Sequence, residues 1–156
     1  MTQLNEVIPN NVLSFLSEIG ITVKTTHLQE KTFLAGFKID GSTLLIDPSV
    51  NKFHAGDILH EAAHIALTDP RKRLNLDSKS LTDPAEEMAA HAWCWAAIQH
   101  LNLEPQWVFH SDYQAGGDWL IDVFNNGGLL GQPLLEFWGL TGHSDRNWPQ
   151  MVSWMR

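Results

Sequence analysis

Residues His60-Glu61-Ala62-Ala63-His64 set two imidazoles four positions apart within an apolar stretch, which narrows how the chain can fold. Ile58, Leu59, Ala62, Ala63, Ile65, Ala66 and Leu67 surround the polar trio, so the segment reads as a buried helix from about Ala55 to Thr68. Positions i and i+4 of a helix share a face, with Cβ atoms about 5–6 Å apart. Two imidazoles and a carboxylate are costly to bury without a common partner. A single Zn²⁺ bound by both rings at about 2.0–2.1 Å per nitrogen removes that cost. The competing reading is a pair of satisfied core histidines, and the apolar setting favours metal.

The pentapeptide has the HExxH pattern of zinc peptidases, in which the two histidines are ligands and the glutamate, here Glu61, is the general base. A catalytic zinc site needs a third protein ligand, with water in the fourth position. The extended form HExxHxxGxxH is absent, because Leu67 and Pro70 stand at its Gly and last His positions. A glutamate on a second helix is the other common solution. Asp83, Pro84 and Glu86 mark such a helix start, as N-cap, N1 and the N3 member of a capping box. Glu87 is rotated about 100° from Glu86. Its face continues through His91, Cys94, Trp95 and Ile98. Glu87 is therefore the expected third ligand, and Glu86 the alternative. His91, one turn below Glu87, reads as a partner of a ligand, a ligand itself or a core histidine. Cys94 lies about 10 Å along the axis from Glu87 and reads as an inert core thiol.

The order of elements predicts an α+β fold of one domain over 1–156. An amphipathic helix follows Pro9-Asn10, with Val12, Leu13, Phe15, Leu16 and Ile19 apolar and Gly20 as its stop. Strands are expected at Ile21–Thr26, Thr32–Ile39 and Thr43–Ile46, with a hairpin turn at Asp40-Gly41. Asp47-Pro48 ends the sheet region ahead of the histidine helix, and His54 reads as a helix-start residue. The second helix runs to about His100, and Pro105 stops any continuation. Shorter helical pieces are expected near Trp119–Phe124 and Pro133–Trp138.

A net charge of −8 disfavours a nucleic-acid partner. Arg71-Lys72-Arg73, the one basic cluster, reads as a solvated turn. One cysteine fits a reducing compartment. With no apolar run near 18 residues and no signal-peptide pattern at the N-terminus, the expectation is a cytoplasmic protein that does not span a membrane. All seven tryptophans fall in the second half. Core packing is the plain account of them. Trp148 and Trp154 are the candidates for an association surface, including one between copies of the chain.

Phe33 to Ile98 resembles the ImmA/IrrE family of small, gluzincin-like zinc peptidases. The resemblance is carried by the hairpin (Thr32–Ile46), by His60-Glu61-Ala62-Ala63-His64 and by Glu86-Glu87-Met88-Ala89-Ala90-His91-Ala92-Trp93. It implies a zincin-like domain with His60, His64 and Glu87 as zinc ligands and Glu61 as base. The implied reaction is hydrolysis of a bond in a peptide or protein substrate. His91 departs from the apolar or aromatic residue usual at its position. His110, Tyr113 and His143 are the candidate donors to an oxyanion. Two other functions compete: a non-catalytic regulator that keeps zinc and binds a protein partner, and a hydrolase of non-peptide amides. An intact Glu61 argues against the regulator, since a structural zinc site has no use for a base.

Overall fold

The computed structural model describes residues 3–78, 83–114, 116–143 and 146–156. Among these residues it has seven α-helices and a small three-stranded mixed sheet. The sequence shows no linker, yet the backbone divides into two compact units, Met1–Leu81 and Thr82–Arg156.

The first unit opens with α1 (Leu4–Val7), a single turn that the sequence reading passes over, and α2 (Asn10–Glu18). In α2, Val12, Phe15 and Leu16 recur at three- and four-residue spacing and are buried. The sheet holds β1 (Thr22–Thr25), β2 (Phe37–Asp40) and β3 (Thr43–Ile46) in the order β1-β3-β2. β3 runs parallel to β1 and antiparallel to β2, whose hairpin closes through Gly41-Ser42 with Asp40 opposite Thr43. Phe37 and Ile39 of β2 and Leu44 and Ile46 of β3 are buried, as the two-residue period of a strand requires. α3 (Asp57–Leu67) packs against β2 and β3.

The strand expected over Thr32–Ile39 is only half present. Thr32 Oγ1 donates to Leu34 O at 2.6 Å, and Phe37 N donates to the same carbonyl at 3.1 Å, so a turn precedes β2. Gly36 enforces it with φ +83°, and a Cβ there would stand 2.6 Å from Asp47 O. The backbone on either side of this turn is tied together by Asp47, which is buried. Its carboxylate accepts from Ser49 Oγ at 2.5 Å, Ser49 N at 3.1 Å and Leu28 N at 2.8 Å. The Ser49 hydroxyl first, and then the Leu28 amide, hold this carboxyl below its ordinary range.

The second unit is built on α4 (Pro84–Leu101), joined by α5 (Pro105–Val108), α6 (Asp118–Asn125) and α7 (Gln132–Phe137). The Asp83 side chain caps α4 by accepting from Ala85 N at 2.8 Å. Among the described residues Glu86 does not complete a capping box with Asp83. Asn102 ends the helix in the left-handed conformation at φ 53°. Pro105 both blocks α4 and supplies the first turn of α5, the two places a proline fits a helical path. α7 lies against α4, where Gly131 comes so close that a Cβ would stand 2.0 Å from Met88 O.

Trp93 is fully buried and donates through Nε1 to Trp154 O at 3.0 Å, with the two rings edge to face at 5.4 Å. Trp95 stacks on Phe124 at 5.2 Å. Trp154, a candidate for an association surface, makes these contacts within its own chain and stays half-buried. Among the described residues no helix is long and apolar enough to cross a membrane.

Candidate metal centre

Gly56 is the N-cap of α3, and Asp57 stands in its first turn, where a carboxylate complements the positive end of the helix. His54 O accepts from Asp57 N at 3.1 Å, so His54 does stand at the helix start. Every residue from Asp57 to Leu67 is buried. His60, Glu61 and His64 keep only 1%, 4% and 7% of their surface exposed.

The two imidazoles turn toward each other. Their Nε2 atoms stand 3.1 Å apart, and the rings are edge to face with centroids at 4.8 Å. With Glu61 they form a group whose donor atoms all lie within 4.8 Å of one another. Nitrogens held at about 2.0–2.1 Å on one tetrahedral ion are about 3.3–3.4 Å apart, so the pair needs little adjustment to bind zinc. The same distance lets one ring donate to the other in the metal-free chain. Metal binding through both Nε2 atoms would require the donor ring to carry its proton on Nδ1 instead. The donor set, two neutral nitrogens with one carboxylate beside them, fits a zinc ion well.

The far end of α3 is closed by Thr68 and Arg73, to which the sequence reading gives no such role. Thr68 Oγ1 donates to His64 O at 2.6 Å. Arg73 reaches Ile65 O, Ala66 O and Thr68 O at 3.0, 3.3 and 3.0 Å. The basic cluster is therefore not uniformly solvated. Arg71 pairs with Asp69 at 2.7 Å on the surface, whereas Arg73 is half-buried against the helix end. Thr68 was detectable as a hydroxyl four residues beyond His64; nothing local marks Arg73.

In the second unit, Glu87 and Glu86 are both half-buried near the start of α4, and Gln114 Nε2 donates to Glu87 Oε1. His91 Nδ1 meets Tyr113 OH at 2.7 Å, with both residues buried. His110 sets its ring edge-on to Tyr113 at 5.9 Å. These residues are gathered because a tight turn, with Tyr113 N donating to His110 O at 3.0 Å, lies against α4. His143 is 74% exposed and pairs with Glu136 at 2.8 Å. Cys94 is buried, as expected of a core thiol. From Ala89 to Ile98 every side of α4 is buried, so burial does not single out the face that Glu87 heads.

Compared with known protein families, curated proteins and solved structures, the chain matches none.

Proposed function

We propose that the chain is a zinc-dependent hydrolase acting on peptide bonds, akin to the ImmA/IrrE peptidases it resembles in sequence. The observation that carries this reading is the convergence of His60 Nε2 and His64 Nε2 at 3.1 Å beside the Glu61 carboxylate, all buried. His60 and His64 would hold the ion through these nitrogens. Glu87 is nominated as the third ligand by the sequence, from its place at the head of α4 and from the resemblance.

Zinc supplies Lewis acidity, lowering the pKa of water toward about 7 and polarising a carbonyl. Glu61 would accept the proton of the attacking water on a carboxylate oxygen and deliver it to the leaving amine nitrogen. It can do so because it lies beside the histidine pair without being needed as a ligand. Burial of all three side chains keeps bulk water from competing and strengthens each charge interaction.

Glu61→Gln is the decisive variant, because it keeps the shape of the side chain and removes the base. Turnover of a peptide library at neutral pH should fall at least about 10²-fold, with zinc content and melting temperature near wild type. Wild type and variant equally inert, both binding one protein partner, would instead support the regulator.

A further inference from the structure

An α-helix leaves its last four carbonyls without donors of its own. In α3 these belong to His64, Ile65, Ala66 and Leu67, and His64 is one of the histidine pair. Thr68 Oγ1 takes His64 O, while the Arg73 guanidinium takes Ile65 O and Ala66 O and also Thr68 O just beyond. A planar fork of fixed geometry spans these acceptors; a lysine ammonium would be a point donor. The guanidinium also brings positive charge to the negative end of the helix dipole.

Arg73 is in turn anchored. It opens a 3-10 turn, Arg73–Asn75, and the residues after it run along the outer edge of β2. Leu76 O accepts from Gly41 N at 2.9 Å, Asp77 bridges Asp40, and Ser78 Oγ accepts from Ile39 N at 3.0 Å. The segment from Arg73 to Ser78 thus straps the helix end to the sheet against which α3 packs.

We infer that Arg73 is a positioning residue for the histidine pair, holding the last turn of α3 so that His64 Nε2 stays opposite His60 Nε2. His64 lies in that last turn and His60 one turn inside it. Fraying the end therefore moves one nitrogen and not the other. The consequence for zinc rests on the role proposed for His60 and His64; the grip on the helix end does not.

The test uses the full chain, freed of metal, as wild type, Arg73→Met (stem kept, fork lost) and Arg73→Lys (charge kept). Zinc affinity by chelator competition should fall about 10–100-fold in Arg73→Met, the scale of losing a residue that orients a ligand, and less in Arg73→Lys. Amide exchange should quicken at the end of α3, and the His64 ring ¹⁵N signals should shift more than those of His60. A residue that only stabilised the fold would lower the melting temperature and leave zinc affinity unchanged. Wild-type affinity in the folded variants would therefore overturn the inference. If wild type itself takes no zinc, the metal role falls while exchange and ¹⁵N signals still judge Arg73. Both unchanged would contradict its grip, and a change confined to the last turn would support it. Should Arg73→Met fail to fold, Arg73→Lys carries the same comparisons.

Discussion

α3 and α4 are both buried along most of their length, and each carries a polar pair at i, i+4 spacing: His60 and His64 on one, Glu87 and His91 on the other. Their side chains behave differently. On α3 the two rings turn to each other and bring nitrogens to 3.1 Å. On α4 the two residues turn to consecutive partners in a tight turn, Glu87 to Gln114 and His91 to Tyr113. Helical spacing makes a shared ligand geometrically available. Whether it is used depends on what else can satisfy the polar atoms, since a buried polar group takes whichever partner restores its hydrogen bonds.

The contrast is testable by matched substitutions. The largest expected effect is on α3, where Glu61→Gln should cost turnover at least about 10²-fold. The counterpart on α4, His91→Gln, should leave turnover within the same order of magnitude. A comparable collapse there, measured with the same peptide library, would erase the distinction between the helices.

Next in size is Glu87→Ala. If Glu87 binds zinc, affinity should fall at least about 10–100-fold, because a ligand matters no less than the residues that orient one. An unchanged zinc titration would remove Glu87 from the ligand set. Tyr113→Phe should cost about 1–2 kcal/mol in denaturant unfolding, through the lost bond to His91, with zinc content unchanged. The smallest effect separates two acids at the start of α4. Asp83→Ala should lose about 1 kcal/mol with the cap, while Glu86→Ala should stay within about 0.5 kcal/mol. The reverse order would restore the capping box to Glu86.

What was legible in the sequence was local. The histidine helix follows from periodicity and apolar neighbours, and the hairpin at Asp40-Gly41 from turn chemistry. Asp83 and Pro84 place the start of α4, while α6 and α7 fall within a few residues of their expected positions. What was not legible depends on contacts between residues distant in sequence or on one unusual backbone angle. Gly36 cuts short a strand that propensity would extend. β1 pairs with β3 rather than with β2, its neighbour in sequence. Arg73 is read as solvated because the acceptors it reaches at the end of α3 are backbone carbonyls, which leave no trace in residue types. The bond between His91 and Tyr113 spans 22 positions, beyond any helical spacing rule. The choice between Glu86 and Glu87 leaned on a capping box that the fold leaves open and on a face no more buried than the rest of α4.

The central claim is that the convergent histidines of α3 hold a metal ion. Elemental analysis of the purified chain, wild type beside a His60→Ala/His64→Ala double variant, tests it most directly. About one zinc per chain in wild type and none in the variant is the predicted result. Full zinc retained in the variant, or none in a wild type titrated with zinc at neutral pH, would contradict it.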